Sequence, residues 1–290
     1  MADQSRSVTD KGVAAVATED NAPTERTDAG DEQAPPGIDV RTPSPARIYD
    51  VFLGGKDNYA ADRAAAQIAI EAGPDIPRAA RENRAFLGRA VRFAVESGIR
   101  QFIDLGTGLP TQGNVHEVAQ SLDAGARVVY VDNDPIVLAH ARALLPPSRT
   151  TTVIQADFRD PAAILSHPKT RSLIDFDQPV AVLMLAVLHF AADDEIRATI
   201  ATFRDAMPPG SLLIVSHSTT EGHPETGDQA TGAWKNATAR LQSRTQKEIE
   251  ALFDGFDLLD PGVVWVPQWR PDPGADEGTR WMYAGVARRP

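Results

Sequence analysis

The stretch Gln101-Phe-Ile-Asp-Leu-Gly-Thr-Gly-Leu-Pro-Thr-Gln-Gly113 decides how this chain is read. Its apolar pair, Phe102 and Ile103, predicts a strand closed by Asp104. Gly106 and Gly108 then predict a sharp turn, and Asn114 opens a helix. Glycine at two turn positions lets the backbone reverse and lets a ligand approach with no Cβ in the way. Tight strand-to-helix turns use glycine whatever they bind, so the turn alone decides little. The segment that follows adds the weight. A second apolar run, Arg127 to Val131, ends in Asp132, 24 residues beyond Gly108 (132 − 108). That is close to the ~20-residue offset at which an acid closing a second strand meets a ribose hydroxyl pair in a dinucleotide-binding unit.

Working outward, strands and helices alternate. Strands are expected at 101–105, 127–132, 151–155, 180–188 and 211–216, with helices at 114–122, 135–145 and 193–207. The run Val180 to Leu188 is continuously apolar, as in a central parallel strand covered on both faces. Asp134-Pro135 places a capping acid before a proline at the first helical position. Ser218 to Gly232 reads as a long loop and Ala233 to Ser243 as a helix. Thr245 and Glu248 form a capping box for another. Segments at 256–259, 263–266 and 281–287 supply the last strands. The pattern predicts an α/β fold, a doubly wound, mostly parallel seven-stranded sheet with helices on both faces. Its ligands are expected beyond the carboxyl ends of the strands, where strand order reverses.

Upstream, Ile48, Tyr49 and Phe52 fall at helical spacing. Gly54-Gly55 breaks that helix, and Asp57-Asn58 is placed to cap a new one near Tyr59. An amphipathic helix over Pro77 to Glu96 follows, stopped by Gly98. These helices are expected to form an N-terminal cover over 41–98, one structural unit with the sheet domain at 99–290. Residues 1–40 carry nine acids and three bases, so −6 of the net charge of −11 lies there. With almost no large apolar side chains, this acidic tail is expected to be disordered.

Composition excludes several functions. The 290 residues contain no cysteine, which removes disulfides, thiolate nucleophiles and cysteine-ligated zinc and fits a reducing cytoplasm. The acidic balance lacks a basic patch, against nucleic-acid binding. No apolar run reaches the ~18 residues of a membrane helix, and no targeting segment is visible at the N-terminus. The six histidines show no metal spacing.

The glycine loop separates two families. A nicotinamide fingerprint, G-x-G-x-x-G/A, fails at Thr111 and has Pro110 inside it. The order Asp104-Leu-Gly106-Thr-Gly108 resembles instead the D-x-G-x-G loop of class I S-adenosylmethionine-dependent methyltransferases. Val129-Tyr-Val-Asp132-Asn-Asp-Pro135, Gln155-Ala-Asp157-Phe158 and Pro208-Pro209-Gly210 resemble their later motifs. A closer resemblance covers nearly all of 43–290. ARIYDVFLGGKDNYAADR, RENRAFLGRAVRF and QFIDLGTGLPTQGNVHEVAQ are similar to an actinobacterial methyltransferase family often catalogued as a domain of unknown function.

The resemblance implies S-adenosylmethionine as cofactor and a small-molecule acceptor. It implies that Gly106, Thr107 and Gly108 pass close to the methionine portion and that Asp104 accepts from its amino group. Asp132 would take both ribose hydroxyls, which a carboxylate can do. Asn133 and Asp157 would meet the adenine edge, Phe158 its face, and Ala186 the cavity at the end of the fourth strand. Tyr49, Gly54, Asn58 and Tyr59 are expected either to fold over the cofactor as a lid or to stitch two helices together. His189 is a candidate base, although methyl transfer to a good nucleophile needs mainly alignment and desolvation. His217 and Glu221 are weaker candidates. Trp234, Trp265 and Trp269 are expected in a substrate wall or in an aromatic core. Two rivals stay open: a cofactor-binding protein without catalysis, and a nicotinamide oxidoreductase.

Overall fold

The computed structural model describes residues 39–110, 113–144 and 148–290. The tail expected over 1–40 lies almost wholly outside the described residues, as does the expected end of a helix at 145. Eight strands build one sheet: β1 (Gln101–Leu105), β2 (Arg127–Asp132), β3 (Thr151–Gln155), β4 (Ala181–Leu185), β5 (Leu212–Ser218), β6 (Asp257–Leu258), β7 (Val264–Trp265) and β8 (Met282–Arg288). Their order is β3-β2-β1-β4-β5-β8-β6, with β7 also on β8. The first five run parallel, and β8 is antiparallel to β5. Eight strands replace the expected seven because two short strands share one edge position. β6 pairs with Ala287 and Arg288, and β7 with Tyr283 and Ala284.

The sheet is buried on both faces by the period-two alternation of its strands. Phe102, Val128, Tyr130, Ala181 and Leu183 enter one apolar cluster; Ile103, Val129, Val131, Val182 and Met184 enter the other. Helices α4 (Val115–Leu122), α5 (Pro135–Leu144), α6 (Pro161–Ser166), α7 (Pro168–Leu173) and α8 (Asp193–Ala206) cover the faces. α5 starts as its sequence requires, with the Ile136 N–H donating to Asp134 Oδ1 at 2.8 Å.

Three helices precede the sheet: α1 (Pro45–Leu53), α2 (Ala60–Ala72) and α3 (Ile76–Glu96). α1 ends at Gly54, whose φ of +76° suits glycine. Gly55 is needed for a different reason: a Cβ there would lie 2.0 Å from Asp50 Oδ1. The expected cap of α2 by Asp57-Asn58 is replaced by one from inside the helix. Asp62 Oδ2 accepts from the Tyr59 N–H at 2.8 Å, and Asp62 also holds the buried Arg47 guanidinium at 2.9 Å. α3 places Ala79, Asn83, Phe86, Leu87, Ala90, Val91 and Ala94 on its buried face and stops at Gly98, φ +94°.

Two further expectations need correction. The apolar run 180–188 does not remain a strand. At Ala186 the backbone turns to φ +52°, its N–H donating to Ser216 O and Oγ, both at 3.0 Å, and Leu188–Phe190 forms a 3-10 turn. The helix expected over 233–243 is also absent. A short helix, α9 (Gly227–Thr231), and a 3-10 turn at Gly232–Trp234 precede an irregular segment that reaches α10 (Gln246–Glu250). Its donors serve distant carbonyls instead of a helix: Thr238 N–H to Pro43 O at 3.0 Å, and Gln242 N–H to His189 O at 2.8 Å.

Candidate functional site

A cavity of about 700 Å³ opens at the carboxyl ends of β1, β2, β4 and β5. Chain order reverses there: β1 pairs with β2 on one side and β4 on the other. Residues of α1 and α3 and the segment 218–242 close it.

Two carboxylates dominate one end. Asp104 is the next-to-last residue of β1 and is 6% exposed; Asp132 closes β2 and is 7% exposed. Burial pushes Asp104 up to about 7; the Arg84 guanidinium opposes this and the Asp132 charge adds to it. Burial also raises Asp132, to about 6, although the N–H groups of Asp134 and Gly108 each donate to it at 2.9 Å. Each oxygen of Asp132 therefore holds one backbone donor and keeps acceptor capacity toward the cavity.

The two loop glycines act differently. Gly106 and Gly108 both have φ +67°. A Cβ on Gly106 would lie 2.3 Å from Val187 Cγ2, so its need is packing as well as backbone conformation. A Cβ on Gly108 would meet nothing within 4 Å. Thr107 Oγ1 donates to Asp104 O at 3.0 Å and ties the turn to β1.

The cavity gathers Tyr49, Asp104, Gly106, Thr107, Gly108, Asp132, Asn133, Phe158, Ala186 and His189. Gly54, Asn58, Tyr59 and Asp157 are not among its lining residues. Asn58 Nδ2 donates to Asp50 Oδ2 at 2.9 Å and to Gly55 O at 3.0 Å; the Tyr59 ring packs against Leu109, Ile136 and Val137. These residues stitch α1 to α2. Asp157 is engaged by Arg159 at 2.6 Å, a bond that holds its carboxyl below the ordinary range. Tyr49 donates to Ala80 O and accepts from Asn83 Nδ2, both at 3.0 Å, which docks α1 on α3.

His189 lies buried in the 3-10 turn after β4. Its Nδ1 accepts from the Ser218 N–H at 3.2 Å. Burial, with the neighbouring His217 and Arg244, lowers its proton affinity well below the ordinary histidine range. That bond leaves the ring proton on Nε2, so His189 offers no lone pair to a substrate proton, contrary to the expected base role. His217, brought down to about 3 by burial, places Nε2 2.9 Å from Arg244 Nη1. Glu221 accepts from the Gln246 N–H at 2.6 Å.

Trp234 lines the cavity beside Phe52, ring centroids 6.0 Å apart. Trp269 is fully buried against Phe86 and Phe93, and Trp265 stacks on Tyr283, so both belong to the core. Sequence reading missed Asn83, Arg84, Phe190 and Trp281 as cavity residues. One signal was available: Asn83 interrupts the apolar face of α3, and a buried amide needs a reason.

A doubly wound sheet with an antiparallel strand beside β5, and an acid at the carboxyl end of each of β1 and β2, defines the class I methyltransferase architecture. The chain belongs to the S-adenosyl methyltransferase family, whose model matches residues 31–290. It is similar to a candidate methyltransferase of Thermobifida fusca, 44% identical, with a TM-score of 0.83 over 89% of this chain and 99% of that one. It is also similar to a DUF574 family protein of Streptomyces avermitilis, 40% identical, TM-score 0.83, over 87% and 99%. No curated protein matches the chain. It is thus an S-adenosylmethionine-dependent methyltransferase. The site fits that cofactor: two desolvated carboxylates with free acceptor capacity face one cavity, as a ligand bearing an ammonium group and a ribose diol requires. Among the described residues, no helix is long and apolar enough to cross a membrane.

Proposed function

We propose that this methyltransferase acts on a small-molecule acceptor in the cytoplasm, within the cavity between the strand ends and α1–α3. The pair Asp104 and Asp132 carries the reading. Burial makes an ionised carboxylate costly, and both stay raised by it, so a site that keeps two of them is built for a ligand that supplies further donors. Asp132 holds the ribose hydroxyls through the acceptor capacity left by Gly108 and Asp134. Asp104 receives the amino group, and Arg84, whose charge already acts on Asp104, faces the carboxylate of the same amino-acid end. Phe158 lies against the adenine, with Asn133 at its edge. The absence of cysteine and the acidic balance support a cytoplasmic enzyme whose acceptor is not a nucleic acid.

S-adenosylmethionine supplies the activated methyl group. The chain supplies alignment and exclusion of water: α1, α3 and the 218–242 segment close over the strand ends, so that acceptor and donor meet in a desolvated space. Calorimetric titration with S-adenosylmethionine, S-adenosylhomocysteine and NAD, on wild type and Asp132→Ala, tests this. Micromolar binding of the two sulfur nucleotides, lost in the variant, is expected. Binding of NAD alone would overturn it.

A further inference from the structure

We propose that His189 is a hydrogen-bond donor, through Nε2–H, to the oxyanion of an aromatic hydroxyl acceptor, which the enzyme methylates as a phenolate. This rests on the methyltransferase reading of the cavity and specifies its acceptor. A backbone N–H can only donate, so the 3.2 Å bond from Ser218 assigns the lone pair to Nδ1 and the proton to Nε2. The charged and titratable groups around the ring hold it neutral. His217 lies 5.3 Å away, centroid to centroid, and points Nε2 at Arg244 Nη1, 2.9 Å off. Arg244 is a buried cation, fixed by Asp193 at 2.6 Å and by Ala191 O at 3.0 Å. Glu195, the nearest lining acid on α8, accepts from the Ala192 N–H at 2.8 Å. The His189 ring itself has no lone pair left to act as a base, and it presents a fixed donor.

The walls beside His189 combine flat aromatic surface with hydroxyl groups and carry little charge. Phe52, Phe190, Trp234 and Trp281 line this half of the cavity beside Ser218 and Thr219, and between 218 and 242 the lining holds no acid and no base except the exposed Arg240. Such walls take an uncharged ring system, and the Nε2–H marks where its oxyanion rests. The acceptor enters as the phenolate formed in solution. Its lone pair forms the bond to the methyl carbon as the carbon–sulfur bond breaks and that electron pair stays on sulfur. The phenolate charge and the sulfonium charge cancel, and no proton moves within the enzyme.

The test uses full-length protein saturated with S-adenosylhomocysteine, and 4-nitrophenol as probe, whose absorbance reports its ionisation. Nitrogen-15 NMR of labelled histidines should show His189 protonated at Nε2 and bare at Nδ1 across neutral pH. The bound probe should ionise about one pH unit lower than in water, a tenfold shift. H189Q, whose amide still donates, should keep most of that shift; H189L should lose it while still binding S-adenosylhomocysteine, its melting lowered only by the partner that the Ser218 N–H loses. An Nδ1–H tautomer, an unshifted probe, or an H189L protein identical to wild type overturns the proposal. So does failure of 4-nitrophenol to bind at millimolar concentration while S-adenosylhomocysteine binds. If S-adenosylhomocysteine itself does not bind, the cavity reading falls and this proposal with it.

Discussion

Asp132→Asn separates a ligand-holding carboxylate from a structural cap, because the two predict opposite signs. In the free protein, burial raises Asp132 from 3.8 to about 6. At about 1.4 kcal/mol per pH unit, keeping it ionised costs the fold roughly 3 kcal/mol. A raised carboxylate costs nothing while both folded and unfolded forms are protonated. The cost grows as pH rises above the unfolded value near 3.8 and is complete above about 6. Asparagine removes it but can accept only one of the two backbone bonds, from Gly108 or Asp134, at a loss of about 1–3 kcal/mol. The ligand-free variant should therefore be as stable as wild type near neutral pH, or slightly more so, and relatively weaker in acid. Its affinity for S-adenosylhomocysteine should fall by about 2–3 kcal/mol, 30- to 100-fold or more, as charge-assisted bonds to the ribose are lost. Urea unfolding at two pH values, with calorimetry on the same samples, reads both quantities. A variant that loses several kcal/mol of stability near neutral pH yet binds normally would refute the reasoning.

The same carboxylates make binding pH-dependent. Because Asp104 and Asp132 are held at about 7 and about 6 and the ligand favours their ionised forms, affinity should fall as pH drops through that window, approaching tenfold per proton taken up per pH unit. Calorimetry in buffers of different ionisation enthalpy should detect proton release on binding, reduced in Asp132→Asn. Gly106→Ala should cost at least about 1–3 kcal/mol, from its φ of +67° and the clash with Val187; adding Val187→Ala should recover only the clash, as a double-mutant unfolding cycle would show. Arg47→Met should cost about 3–5 kcal/mol by leaving Asp62 buried without its partner; a loss below about 1 kcal/mol in urea unfolding would contradict the pairing described.

The parallel core was legible because its strands are short apolar runs between turn signals. The bounds of β1, β2 and β3 agree with their sequence patterns residue for residue. The acids at the ends of β1 and β2 were legible for the same reason, since a polar residue closing an apolar strand lies at the sheet's edge. What could not be read depends on partners far away in sequence. Nothing local tells that Ala186 adopts φ +52°; two acceptors on Ser216 hold it there. Ala233, Trp234, Ala237 and Leu241 keep helical spacing, yet carbonyls of Pro43 and His189 take the donors of that segment. The residue types from Gly54 to Tyr59 suit a lid as well as a stitch between two helices, and the sequence alone does not choose between them. Asp50 and Asp62 claim the polar groups of that turn.

The attachment of α3 has a consequence for the order of assembly. Asp75 accepts from Trp281 Nε1 at 2.7 Å, Glu82 from the Thr279 N–H at 3.0 Å, and Arg89 donates to Trp269 O at 3.0 Å. These bonds span 206, 197 and 180 residues of chain. α3 thus waits for residues made much later in the chain before it can seat. Loops of that size close late, after the local strand pairings of β1 to β5. The crevice between β1 and β4 can form while its roof is still unattached, and closure of the cavity waits for the segment 269–281.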